Sequence, residues 1–150
     1  MPRLLVVHHT PSPNLQALLE AVVRGAGADG LEEVEVVVRP ALGATEVDVL
    51  AADAYVLGTP ANLGWMSGAL KHFFDRVYYP CLDATRRRPY GLYVHGNDDT
   101  LGAVRSVERV VTGLAWEQVV APVSVVGEPS RADLDACSDL AATVAVRLVV

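Results

Sequence analysis

Short apolar runs alternate with longer amphipathic stretches along the chain. Residues 4–8 form a β-rich run. Residues 14–25 then carry Leu15, Leu18, Leu19, Val22 and Val23 at helical spacing, and Gly25, Gly27 and Gly30 punctuate the end of that stretch. Residues 34–38 are a second run, nearly continuous, and residues 46–52 a short helical segment. Residues 54–57 are a third run, ending at Gly58-Thr59-Pro60. Residues 67–79 place Leu70, Phe73, Phe74 and Val77 on one helical face. Residues 90–94 are a fourth run, and residues 100–114 a helix with Leu101, Val104, Val107, Val110 and Val111 inward. A fifth run at residues 119–126 is interrupted by Pro122, and residues 132–148 form a last helix.

Near-continuous Val/Leu strands alternating with helices predict a parallel sheet buried on both faces. The expected fold class is α/β, a three-layer doubly wound domain with a five-stranded parallel sheet of order 2-1-3-4-5. The switch point of that order lies between strands one and three, and ligands sit there at the carboxyl ends of the strands. With 150 residues and no repeat, linker or low-complexity segment, the whole of 1–150 reads as a single domain.

Composition narrows the function classes. Hydrophobic residues at 51 % and charged residues at 20 % exclude a disordered polar chain. No apolar run approaches the ~20 residues of a membrane-spanning helix. The apolar stretch at the start is too short for a signal peptide and reads as the first strand. A net charge of −6 argues against a nucleic-acid partner, and the basic run Arg86-Arg87-Arg88 reads as a solvated loop. The two cysteines, Cys81 and Cys137, have no metal-ligand spacing and fit a reducing, cytoplasmic setting. No metal site, nucleic-acid partner or membrane partner is expected.

The chemistry concentrates after strands one, three and four. His9-Thr10-Pro11-Ser12-Pro13-Asn14-Leu15-Gln16 runs straight into a helix, bringing two hydroxyls and an amide to the unpaired N–H groups of its first turn. That is an anion site held by hydroxyls and backbone, since no Lys or Arg lies in the loop. Simple capping by Ser12 or Asn14 explains the same residues. Neither a Walker A pattern nor a dinucleotide G-x-G-x-x-G follows strand one. His8 reads as structural, His72 as a surface or packing residue, and Asp75 and Arg76 as helix-end structure. No Ser-His-Asp or Cys-His pairing suggests hydrolysis.

Strand three ends in Gly58-Thr59-Pro60-Ala61-Asn62-Leu63-Gly64-Trp65-Met66-Ser67-Gly68-Ala69-Leu70-Lys71, followed by His72-Phe73-Phe74-Asp75-Arg76. This stretch resembles the flavin-ring loop and following helix of the flavodoxin-like FMN-binding family, and is most similar to the NADPH-dependent FMN reductase and quinone reductase group. The first loop, T-x-S-x-N, is similar to that superfamily's phosphate loop, with Pro13 for the usual Gly and Leu15 for the usual Thr. His95-Gly96-Asn97-Asp98-Asp99-Thr100 matches the third flavin loop in position and polarity. The resemblance covers roughly residues 4–115.

The resemblance implies that Thr10, Ser12, Pro13, Asn14, Leu15 and Gln16 hold an FMN phosphate. It implies that Thr59, Pro60, Ala61, Asn62, Leu63, Gly64 and Trp65 cradle the ring, with Gly64 allowing close approach, and that His95, Gly96 and Asn97 close the pyrimidine side. No protein residue is catalytic in that scheme, because the flavin carries the chemistry. The implied activity is an FMN-dependent oxidoreductase passing electrons from NAD(P)H to a quinone or similar small-molecule acceptor. A flavodoxin-type electron carrier and a flavin-free binding module are the alternatives. Relatives of this kind form dimers or tetramers, which makes Trp65, Tyr78 and Tyr79 candidates to line an interface in a homo-oligomer.

Overall fold

The computed structural model describes residues 1–150. Its elements are β1 (Arg3–His8), α1 (Pro13–Ala26), β2 (Glu35–Pro40), α2 (Glu46–Ala51), β3 (Ala54–Asn62), β4 (Trp65–Met66), α3 (Gly68–Cys81), β5 (Pro89–Gly96), α4 (Leu101–Gly113), β6 (Glu117–Gln118), β7 (Val123–Val126) and α5 (Arg131–Val146). The sheet runs β2-β1-β3-β5, and β6 and β7 both pair with β5. All these pairings are parallel, so the expected flavodoxin-like order holds.

Seven strand segments replace the expected five. The fifth strand is cut into β6 and β7 at the stretch holding Pro122, a residue with no N–H to give a ladder. The other addition is β4, which folds back antiparallel on β3, pairing Ala61 with Met66 and Asn62 with Trp65. Leu63 at φ 52° and Gly64 at φ 75° supply the two positive-φ positions of a tight hairpin turn.

Alternation along β1 builds the two halves of the core. Leu5 and Val7 face α2, α3 and α4, while Leu4 and Val6 face α1 and α5. At Gly25 a Cβ would lie 1.9 Å from the Ser138 carbonyl oxygen, so α1 and α5 touch backbone to backbone there. Beneath α2, Tyr55 donates to the Val49 carbonyl at 2.6 Å and stacks on Trp116 with ring centroids 4.0 Å apart.

The basic run is not simply solvated. Arg88 donates to the carbonyls of Val49, Leu50 and Ala52 and to the Tyr55 hydroxyl, closing the end of α2. Arg86 pairs with Asp83 at 3.5 Å, as a surface residue would.

Two predictions follow from this packing. Gly25→Ala should cost about 1–3 kcal/mol in urea denaturation, because the added methyl forces two helix backbones apart. Burial pushes the hydroxyls of Tyr55 and Tyr90 and the Cys137 thiol each up to about 12. These acids are harder to ionise folded than unfolded, so their contribution is full below their ordinary values and is lost as pH climbs. A pH series of melts should therefore show stability falling from about pH 9 to 12.

Candidate functional site

The carboxyl ends of β1, β3 and β5 meet at a cleft of ≈ 180 Å³ lined by Pro11, Ser12, Leu15, Pro60, Ala61, Asn62, His95, Gly96 and Asn97. All three loops singled out in the sequence reach it. Eight of the sixteen expected ligand residues line it, and Pro11 joins them although sequence reasoning missed it. Its signal was only its place between the two hydroxyls of the first loop. A wider hollow of ≈ 480 Å³ lies at the opposite end of the sheet, around Met1, Pro2, Asp53, Arg147 and Leu148, away from the strand ends that gather the loops.

The first loop is set up by the start of α1. Ser12 caps the helix, its Oγ accepting from the Leu15 N–H at 3.2 Å. The capping explanation of Ser12 is therefore correct, yet its hydroxyl proton is still available to an acceptor in the cleft. The Gln16 N–H goes to the Ser12 carbonyl at 3.0 Å. Pro13 is the first residue of α1, where a missing N–H is tolerated but one anion donor is lost. The Leu15 side chain is 1 % exposed and packs in the core. Thr10 lies outside the cleft lining, and its hydroxyl shares a 2.7 Å hydrogen bond with His8 Nδ1. His9 donates its backbone N–H to the Gly58 carbonyl at 3.0 Å, and its buried Nδ1 has no partner.

The second loop is the β3–β4 hairpin. Thr59 is fully buried, accepting from the Ser67 N–H at 3.0 Å and donating to the Pro60 carbonyl at 2.9 Å, so it braces the hairpin. Met66 donates its N–H to Ser106 Oγ on α4 at 3.0 Å. The tip also rests on α4, since a Cβ at Gly102 would lie 2.0 Å from the Gly64 carbonyl oxygen. Gly64 itself has open protein-free space around its missing Cβ, and its φ of +75° by itself favours glycine there. Leu63 is fully solvent-exposed at the tip. Trp65 lines a separate ≈ 230 Å³ cleft with Arg105 and Arg109 on α4. The structure thus divides the expected ring loop, with residues 60–62 at the cleft and residues 63–65 beyond it.

The third loop is held from a direction the sequence did not reveal. His95 is 6 % exposed, and its Nε2–H donates to the Gly127 carbonyl at 2.8 Å. Because a carbonyl only accepts, this fixes the tautomer when the ring is neutral. Gly127 in turn donates its N–H to the Gly96 carbonyl at 3.0 Å. Asp99 accepts from the Leu101 N–H at 2.9 Å and starts α4. The cleft is therefore electrically lopsided, with Asp98 and Asp99 at the α4 side and no acidic residue in the first turn of α1. An anionic group is favoured at the α1 side.

The residues set aside in the sequence fall where packing puts them. Asp75 pairs with Lys71 at 2.6 Å, and Arg76 donates to the Ala41 carbonyl at 2.9 Å. Cys81 and Cys137 are fully buried, and burial pushes both thiols up, so neither is a nucleophile at neutral pH. No helix is long and apolar enough to cross a membrane.

A doubly wound parallel sheet with an anion-favouring cleft at its switch point defines the flavodoxin-like class of α/β proteins. The family model described as NADPH-dependent FMN reductase matches residues 29–132, and the chain belongs to that family. The matched stretch includes the second and third loops but not the first. A flavodoxin of Aquifex aeolicus (strain VF5) is 39 % identical over 77 residues, covering 51 % of this chain. The chain spans about 40 % of the length of that curated relative. Among solved structures, a flavodoxin, WrbA-like protein from Agrobacterium tumefaciens superposes with a TM-score of 0.78 at 20 % identity, covering 98 % of this chain and 97 % of that one. A flavodoxin from the domain Archaea gives 0.82 at 17 % identity, with 99 % of each chain covered. The flavodiiron core Flv1 from Synechocystis gives 0.84 at 14 % identity, covering 99 % of this chain and 36 % of that one. At these identities the structures establish the fold.

Gly64→Ala should strain the hairpin by about 1–2 kcal/mol, the cost of a left-handed backbone for a residue with a Cβ. Urea denaturation measures that loss, and the cleft should stay open because the methyl points into free space.

Proposed function

We propose that this chain binds FMN across the cleft and passes electrons from NAD(P)H through it to a quinone or similar small-molecule acceptor. The carrying observation is the meeting of three loops at the carboxyl ends of β1, β3 and β5, with the acid-free start of α1 at one end. The donor set fits a phosphate at that end through the free proton of Ser12 and the backbone N–H of Asn14, which has no partner in the chain. Residues 60–62 and 95–97 fit a flat ring edge, because Gly96 keeps the walls close. A Cβ there would lie 3.3 Å from the Ala61 Cβ and 3.1 Å from Thr100 Cγ2.

When bound, FMN supplies hydride acceptance and onward electron transfer. The chain's own work is to hold and orient. Ser12 would donate to the phosphate, and the Thr59 and Ser106 hydrogen bonds keep the hairpin in place. His95, pinned by Gly127, presents an unprotonated Nδ1 as an acceptor when neutral.

An electron-carrier role is the second reading, supported by the similarity to the Aquifex flavodoxin. Assembly of the family type would use α3 and α4, where Tyr79 is 80 % exposed and packs edge-on against Tyr78. Sedimentation of the wild type and Tyr79→Ala tests this, and a monomeric wild type excludes it.

The deciding experiment is a visible spectrum after incubation with excess FMN and gel filtration. Retained bands near ~375 and ~450 nm, those of the cofactor itself, support the reading. A colourless protein favours a flavin-free binding module. Prompt bleaching of the bands by NADPH without a partner protein separates a reductase from a carrier. Ser12→Ala should weaken FMN binding about tenfold or more, the scale of a hydrogen bond to a charged group, and leave riboflavin binding unchanged.

A further inference from the structure

Past residues 60–62 the β3–β4 hairpin reaches a second hollow of ≈ 230 Å³, formed by Gly64, Trp65, Gly102, Arg105, Ser106 and Arg109. It shares no lining residue with the cleft at the strand ends. Its walls are an indole and two cations. Trp65 is 43 % exposed, whereas Trp116 is 6 % exposed and stacked on Tyr55. Arg105 and Arg109 are four residues apart on α4, which makes them neighbours on one helix face, with Cβ atoms about 5–6 Å apart. Most arginines of this acidic chain are engaged by a carboxylate or a carbonyl, but Arg105 and Arg109 have no partner in the chain. Glu108, three residues from Arg105, forms no ion pair with either.

The floor of the hollow offers little else. Gly102 has no side chain, and a Cβ there would collide with the Gly64 carbonyl oxygen, so the hairpin tip sits directly on α4. The Ser106 hydroxyl donates to the Ala103 carbonyl at 2.7 Å and accepts from the Met66 N–H at 3.0 Å. The side-chain groups left free to recognise a ligand are therefore the indole and the two guanidinia.

We propose that this hollow binds a nucleoside phosphate, with its base against the Trp65 indole and its phosphate between Arg105 and Arg109. Charge and oxygen count select phosphate. A carboxylate has two oxygens, and one guanidinium fork satisfies both. A terminal phosphate carries close to two negative charges at neutral pH and three acceptor oxygens, which matches two guanidinia. An aromatic base supplies the flat apolar surface that stacks on an exposed indole. A free mononucleotide and the nucleotide end of a dinucleotide share this chemistry. Neither requires FMN in the other cleft, so the proposal stands apart from the flavin reading.

AMP, adenosine and inorganic phosphate are the probes, followed by tryptophan emission and titration calorimetry at low salt. AMP should quench the Trp65 emission and bind about tenfold or more tighter than adenosine or inorganic phosphate, each of which lacks one of the two contacts. Arg105→Gln and Arg109→Gln should each weaken AMP about tenfold and leave adenosine unchanged. Trp65→Ala should weaken AMP about tenfold and leave inorganic phosphate unchanged. All three side chains are exposed, so the variants should melt with the wild type. Ser12→Ala, in the other cleft, should leave AMP affinity unchanged. NADH and NADPH separate the two sources. Either one binding tighter than AMP, with the same loss in Arg105→Gln, identifies a dinucleotide, and weaker binding of both identifies a mononucleotide.

No saturable binding of any of the three nucleotides overturns the proposal. Inorganic phosphate binding as tightly as AMP overturns it as well, by removing the base. So does an AMP affinity that falls in Ser12→Ala and survives in the arginine variants, because AMP then occupies the other cleft. An acidic peptide that binds where the nucleotides do not would make this a protein-docking face, and the proposal fails.

Discussion

The site depends on a constraint of the parallel sheet. The central strands β1 and β3 are apolar on both faces, so helices must cover both, α1 and α5 on one side and α2, α3 and α4 on the other. Successive connections leave the sheet toward opposite faces, and between β1 and β3 this leaves a gap at the carboxyl ends that neither helical layer fills. The loops after β1, β3 and β5 line that gap. The cleft is thus a consequence of covering a two-sided hydrophobic sheet with one chain.

Within that frame the loops are braced from behind. Thr59 and Ser106 tie the hairpin to α3 and α4, and Gly127 holds both His95 and Gly96. His95 and the bracing hydroxyls thus have protein partners, while the hydroxyl proton of Ser12 stays free in the first loop. The acids at the start of α4 add a gradient of charge across a short distance. A ligand with one anionic end and one flat apolar end fits that gradient in a single orientation, and FMN is such a molecule.

The departures at Pro13 and Leu15 are compatible with this picture. Pro13 removes a donor at the one helix position where a backbone N–H is least missed. Leu15 gives up a hydroxyl to fill the core between α1 and the sheet. Both changes leave the first loop with fewer donors of its own.

Sequence alone determined the alternation of elements, the strand order and the three loops at the switch, because each is written in local periodicity or in a contiguous motif. Ser12, residues 60–62 and residues 95–97, which the motifs had singled out, meet at one cleft. Tertiary structure decided the rest. Leu63, Gly64 and Trp65 leave the cleft because a two-residue turn folds β4 back onto β3 and docks it on α4, through contacts with Ser106 and Gly102 that lie about forty residues away. Arg88 becomes the cap of α2, and Gly127 the anchor of His95, by the same kind of long-range contact. Hydrogen bonds between distant segments leave no periodic trace, so only the folded chain discloses them.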